Sequence, residues 1–74
     1  MTRLPTLSAR KIIQGLEKAG FVLKRQTGSH YIMKHPAKRL RTSVPIHSRD
    51  VNRSLMKLIL KQADMTEEEF GRLL

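Results

Sequence analysis

The chain has 74 residues, with 15 Lys or Arg against 6 Asp or Glu, which gives a formal net charge of +9. This length predicts a single domain over residues 1–74, and one Tyr, two Phe and no Trp leave it only a small aliphatic core. We therefore expect no enclosed cofactor site, and the absence of cysteine excludes disulfides, thiol nucleophiles and cysteine-ligated zinc.

The sequence also predicts where the protein resides. No apolar run approaches the length of a membrane-spanning helix, and the first residues lack the apolar stretch of a secretory signal. We expect a cytoplasmic protein that does not associate with membranes.

The excess positive charge is confined to one part of the chain. Residues 1–50 contain eleven basic and two acidic side chains, whereas residues 51–74 contain four of each. This distribution favours a polyanionic ligand, and nucleic acid is preferred to a membrane because no basic amphipathic helix accompanies the charge. The alternative is a solvated basic surface without a ligand.

The first predicted element is a helix that begins after Ser8, its N-cap, and ends at Gly20. A glycine inside this helix, Gly15, indicates a close approach to another element. The apolar residues follow the spacing of one helical face, namely Ala9, Ile12, Ile13, Leu16 and Ala19.

Three strands are predicted to follow as an antiparallel meander. The first starts at Phe21, the second covers 30–35 and the third covers 40–46, with turns at 26–29 and 36–39. Because Pro45 cannot donate a ladder hydrogen bond, the third strand should lie at a sheet edge.

Two helices complete the predicted order α-β-β-β-α-α. The first has Asp50, Asn52 or Ser54 as its cap, and the capping-box sequence 66–69 opens the second, which carries Phe70, Leu73 and Leu74. The apolar face of the former is predicted to contain Leu55, Leu58, Ile59 and Ala63. The fold class is α+β, with a three-stranded antiparallel sheet and its helices on one face.

Alternation along the strands assigns each side chain to one face of the sheet. The covered face should contain Phe21, Leu23, Tyr31, Met33, Leu40, Thr42 and Val44. The open face should carry one imidazole among cations, namely His30 with Lys24, Lys34 and Arg41.

This open face has the components of metal-free RNA cleavage. An imidazole such as His30 can exchange a proton near neutral pH, and cations can bind a phosphate and stabilise developing charge. Gly28 and Ser29 precede it, providing backbone freedom and a hydroxyl. The base would activate a ribose 2′-hydroxyl, which DNA lacks. An exposed histidine after a turn can equally have no such role.

The other two histidines are weaker candidates. His35 lies at a strand end before Pro36, and His47 is placed to cap a loop. The histidines are 5 and 12 residues apart with only Asp50 nearby, so the sequence predicts no metal site.

Five motifs follow one another along the chain, namely Ala19-Gly20-Phe21, Arg25-Gln26-Thr27-Gly28-Ser29-His30, His35-Pro36, Val44-Pro45-Ile46-His47 and Leu58-Ile59-Leu60-Lys61-Gln62-Ala63. In their order and spacing they resemble the HicA family of bacterial toxins, and the match extends from residue 4 to residue 70. The resemblance implies an mRNA interferase with a double-stranded-RNA-binding-domain-like fold, His30 as its catalytic residue and a HicB antitoxin as its partner. Members similar to this chain often carry Gly-Thr where it has Arg53-Ser54.

The leading hypothesis is an endoribonuclease toxin in which His30 is general acid or base. Gly28 and Ser29 would shape the site, while Lys24, Lys34 and Arg41 would hold phosphates. We expect the antitoxin to present an acidic surface to this face. The alternatives are a non-catalytic RNA-binding module of the same fold and, less favoured, a DNA-binding regulator, for which the penultimate helix is a poor recognition helix.

Overall fold

The computed structural model describes residues 4–46 and 49–74 of the chain. The elements are α1 (Ala9–Lys18), β1 (Val22–Thr27), β2 (His30–His35), β3 (Leu40–Pro45), α2 (Arg53–Gln62) and α3 (Glu67–Gly71). The strands form one antiparallel sheet in the order β1-β2-β3, which confirms the α+β class and the predicted order. None of the described helices is long and apolar enough to cross a membrane.

The ends of α1 are those that the sequence predicts. Ser8 Oγ accepts a hydrogen bond from the Lys11 backbone N–H at 3.2 Å, which satisfies one of the free donors of the first turn. After Lys18 the chain leaves the helix through Gly20, whose φ of +103° is open to glycine at little cost.

One face of β2 and β3 forms the floor of the core. Met33, Thr42 and Val44 are fully buried there, as their alternation predicts. α2 lies on this face, because Thr42 Oγ1 is 2.9 Å from Gln62 Oε1 and 3.4 Å from the Ile59 carbonyl oxygen. The only buried polar side chain described is therefore hydrogen-bonded.

β1 departs from the predicted pattern because it is exposed along its whole length. Phe21, just before the strand, is buried as predicted, but the prediction that Leu23 is buried is wrong, since 48% of it is exposed. The packed helices contact β3, at the opposite edge of the sheet, so the covered face does not extend to β1.

The buried face of α2 is also different from the predicted one. Leu58 is 48% exposed and not buried, and the helix instead turns a different stripe to the core, namely Met56, Ile59, Leu60 and Ala63. Both stripes have helical spacing, so only the contact with β3 decides between them. Of the three proposed caps, Asn52 is the one used: its Oδ1 accepts from the Leu55 N–H at 2.9 Å.

α3 is a single short turn that closes the core. Its predicted capping box between Thr66 and Glu69 is present in both directions. The Arg53 guanidinium donates to the Leu4 carbonyl and, at 2.8 Å, to Glu67, so it ties α2 to α3 and to the start of the described chain. The extra cation at position 53 thus has a structural role.

The Phe70 ring packs directly on Gly15 of α1. A Cβ added at Gly15 would lie 2.5 Å from Phe70 Cζ. Because the Phe70 ring is fully buried, it cannot move aside into solvent. The close approach that Gly15 indicates in the sequence is therefore the contact with α3.

We predict that Gly15→Ala lowers the free energy of unfolding. Overpacking costs about 1–3 kcal/mol and outweighs the gain of about 1 kcal/mol in helix propensity. In a Phe70→Leu background the same change should be neutral or stabilising, a coupling measurable by denaturant unfolding of all four proteins. Equal effects in both backgrounds would contradict the contact.

A second prediction concerns acid stability. Hydrogen bonds from Thr66, first from its backbone N–H, hold the pKa of the Glu69 carboxyl below its ordinary value of 4.5. A pKa lowered by folding stabilises the protein above the unfolded value, and this contribution disappears as the pH falls through the folded value.

The Glu69→Gln variant keeps the capping-box hydrogen bonds but cannot titrate. Its stability should therefore fall less steeply than that of the wild type as the pH drops below 4.5, toward the lower pKa of the folded state. Thermal unfolding at successive pH values measures this, with Glu17→Gln on the exposed surface of α1 as control. Identical acid profiles for Glu69→Gln and wild type would refute it.

Candidate nucleic-acid interface

The turn between β1 and β2 determines where His30 lies. Thr27 pairs with His30 across a two-residue loop of Gly28 and Ser29, so the imidazole belongs to the first residue of β2. Of the two loop residues only Gly28 has a positive φ, of +54°, which is the pattern of a type II′ hairpin turn. Nothing lies within 4 Å of a Cβ added at Gly28, so the backbone and not the available space requires glycine.

His30 is fixed from the β3 side as well. The Ile46 N–H donates to the Ser29 carbonyl, so by the alternation of an antiparallel ladder the neighbouring pair His30–Pro45 is of the closely spaced, non-hydrogen-bonded kind. Pro45 is buried beside it, and the position where its N–H would be points to the free edge. The predicted edge position of β3 is confirmed, and His30 itself is exposed.

A β-bulge in β1 places Arg25, as well as Lys24, on the same face of the sheet as His30. The register shifts between Leu23 and Arg25, leaving Lys24 as the extra residue, and Arg25 then pairs with Ile32. Ile32 is two residues from His30 on the same face, which makes Arg25 the diagonal neighbour of His30, with Cα atoms about 7–8 Å apart. Strict alternation places Arg25 on the other face, and sequence reasoning therefore missed it.

The remaining predicted cations gather at the other end of the sheet. One hollow of about 380 Å³ is lined by four cations, Lys24, Lys34, Arg39 and Arg41, which we call the basic hollow. His35, Pro36 and Leu40, around the turn between β2 and β3, complete its lining. Arg39 was not predicted, since it belongs to the turn after β2. The Arg41 guanidinium, helped by slight burial and by the charges of Arg25 and Lys34, lowers the pKa of the Lys24 amine.

The structure thus divides the predicted site residues into two groups on one face. Gly28, Ser29 and His30 lie at the hairpin turn. Lys34 lies four residues further along β2, opposite Arg41 of β3. At the rise of a strand, four residues correspond to about 13 Å. The cations of the basic hollow do not surround His30, and Arg25 is its nearest cationic neighbour by register.

His35, on the opposite face, has a structural environment. Its Nδ1 accepts the Lys38 backbone N–H at 3.1 Å, within the turn that leads to β3. Its ring meets Phe21 edge-on at 5.3 Å, and its Nε2 would lie 2.7 Å from a Cβ at Gly20. His47 lies outside the described residues. Among residues 4–46 and 49–74, no three His, Asp or Glu side chains form a group suited to a metal ion.

The cationic open face of this small α+β fold is the kind of surface that attracts a polyanion. Residues 9–65 match the family described as the HicA toxin of bacterial toxin–antitoxin systems. The chain therefore belongs to the HicA toxin family, which makes it the toxin of a toxin–antitoxin pair with an antitoxin as its partner. No curated protein matches the chain.

We predict that Gly28→Ala destabilises the protein by about 1–3 kcal/mol, because a non-glycine residue must be held at positive φ. Ser29→Ala, in the same loop, should change the free energy of unfolding by less than about 0.5 kcal/mol. Denaturant unfolding of both variants tests the turn geometry. A Gly28→Ala variant as stable as Ser29→Ala would show that the turn does not need the left-handed backbone.

Proposed function

We propose that the protein is a metal-independent endoribonuclease that cleaves mRNA, with His30 as the residue that transfers protons. Two findings support this function. Toxins of the HicA family are known to cleave mRNA. The observation that carries the assignment to this residue is an exposed imidazole on the open sheet face, held between Thr27 and Pro45 and next to Arg25.

The reaction uses the substrate's own ribose. The 2′-oxygen forms a bond to the adjacent phosphorus, and the bond from phosphorus to the 5′-oxygen of the next nucleotide breaks. The products are a 2′,3′-cyclic phosphate and a 5′-hydroxyl. One proton leaves the 2′-hydroxyl and one reaches the departing 5′-oxygen, and His30 carries out one or both transfers. Because the attacking group is the 2′-hydroxyl, the reaction selects RNA over DNA.

The neighbouring residues have supporting roles in this proposal. Gly28 and Ser29 shape the turn that presents His30 to the substrate. Arg25 is placed to stabilise the charge that builds up on the reacting phosphate. Lys24, Lys34 and Arg41 bind phosphates of the RNA backbone, and they hold the substrate on the sheet face.

The antitoxin is proposed to act on the same face. A HicB-type partner with an acidic surface complements Lys24, Lys34 and Arg41, and in covering the sheet it shields His30 from RNA. Since mRNA is the proposed substrate, the toxin acts in the cytoplasm.

The test is cleavage by the His30→Ala variant. Loss of general acid–base catalysis should slow cleavage by about 10²–10⁴-fold, equivalent to about 2.7–5.5 kcal/mol of transition-state stabilisation. Folding should be almost unaffected because the side chain is exposed. Circular dichroism verifies the fold, and the cleavage rate is measured in EDTA on an RNA and on the same RNA with one 2′-deoxy nucleotide at the cut site.

The matched control is Lys61→Ala, on the exposed surface of α2, which should cut at the wild-type rate. Wild-type cleavage by folded His30→Ala, or cutting at the 2′-deoxy position, would rule out the mechanism. RNA that is bound but left intact by the wild type would instead indicate the non-catalytic RNA-binding module.

A further inference from the structure

We infer that the basic hollow is a second phosphate subsite, which binds the RNA backbone about two nucleotides away from the bond that is cut. This inference rests on the proposed function, because it assigns a place on the same RNA to each of the two groups on the sheet face. The scissile phosphate belongs beside His30 and Arg25, and the hollow takes a phosphate further along one extended strand.

The first argument is distance. Lys34 is four residues from His30 along one strand, about 13 Å at the rise of a β-strand. At that spacing an extended single strand laid along β2 places a phosphate about two nucleotides on at the hollow, so each end of the face can bind a phosphate of its own. The two groups share one face, so the same strand can reach both.

The second argument is the unfavourable pairing inside the hollow. Lys34 and Arg41 are directly opposite each other on neighbouring strands, where like charges destabilise a sheet. Lys24 joins them through the bulge, and its amine has a lowered pKa chiefly because of Arg41. Both ion pairs in the described part of the chain, Arg53–Glu67 and Arg72–Glu68, involve residues of α2, α3 and the C-cap of α3, so neither relieves this repulsion. A bound anion would.

The third argument is the turn that delivers Arg39. This residue has a φ of +55°, in the region that favours glycine or asparagine, yet the sequence has an arginine whose side chain lines the hollow. An unfavourable backbone conformation is thus adopted at the position that gives the hollow its fourth cation, and a bound anion would stabilise that cluster of charge.

The test uses chimeric oligonucleotides with a single ribonucleotide, which leaves one cleavable bond, in otherwise 2′-deoxy chains. They are extended by three nucleotides on the 5′ side, on the 3′ side or not at all. The wild type should prefer one extension in kcat/KM, chiefly through KM, because the subsite binds ground and transition state alike. In Lys34→Ala this preference should fall roughly 10-fold, the scale of one charged hydrogen bond.

A neutral methylphosphonate placed at each position in turn locates the contact. Substitution about two nucleotides from the cut site should weaken wild-type cleavage as much as Lys34→Ala does, and the two changes combined should be no worse than either. Lys57→Ala, the same charge change on the exposed surface of α2, should retain the full length preference.

Binding of fully 2′-deoxy versions, measured by fluorescence anisotropy, separates this inference from the catalytic one. Length-dependent binding that is lost in Lys34→Ala supports the subsite even if no cleavage occurs. Equal binding and cleavage of all lengths by the wild type overturns it. Lys34→Ala with unchanged length preference but lost inhibition by the antitoxin also overturns it, and assigns the hollow to the protein partner.

Discussion

The packing of two short helices on one face of β3 is the constraint that organises the rest of this molecule. Helices of ten residues cover β3 and the near side of β2, and there Met33, Thr42 and Val44 are fully buried. β1 receives no such cover and remains exposed on both sides. The opposite face of the sheet carries His30 and the neighbouring cations, and this is where the proposed chemistry lies.

The bulge in β1 gives that open face its composition. Two adjacent cations in a regular strand point to opposite sides of the sheet, but the extra residue turns both Lys24 and Arg25 to the open side. The consequence is electrostatic crowding, visible in the lowered pKa of Lys24. The chain tolerates this repulsion at the strand that contributes least to the core, where the cost in packing is small.

Two histidines at the ends of one strand show how strand parity separates a packed side chain from an exposed one. His30 and His35 are five residues apart, so they lie on opposite faces of β2. His35 turns toward Phe21 and the turn backbone, where both its ring and its Nδ1 make contacts. His30 turns to solvent beside Pro45, and no hydrogen bond of its imidazole is described within residues 4–46 and 49–74. Its imidazole is therefore accessible to the proposed substrate.

The sequence by itself determined the order of the elements, the caps at Ser8 and Thr66, the edge position of β3 and the faces of β2 and β3. These follow from local rules, since a hydroxyl at a cap, a missing N–H and a period of two act within a few residues. The membership in the HicA family was equally readable from the order and spacing of its motifs.

Only the tertiary structure decided which periodic stripe became core and which cations became neighbours. Leu58 and Leu23 have suitable spacing, but burial depends on how far a neighbouring element reaches, and no local pattern encodes that reach. Arg25 lies on the same face as His30 because of the bulge in β1, and the position of a bulge depends on the register with the partner strand. For the same reason, the sequence placed His30 among Lys24, Lys34 and Arg41, whereas the fold holds it at the far end of the same face.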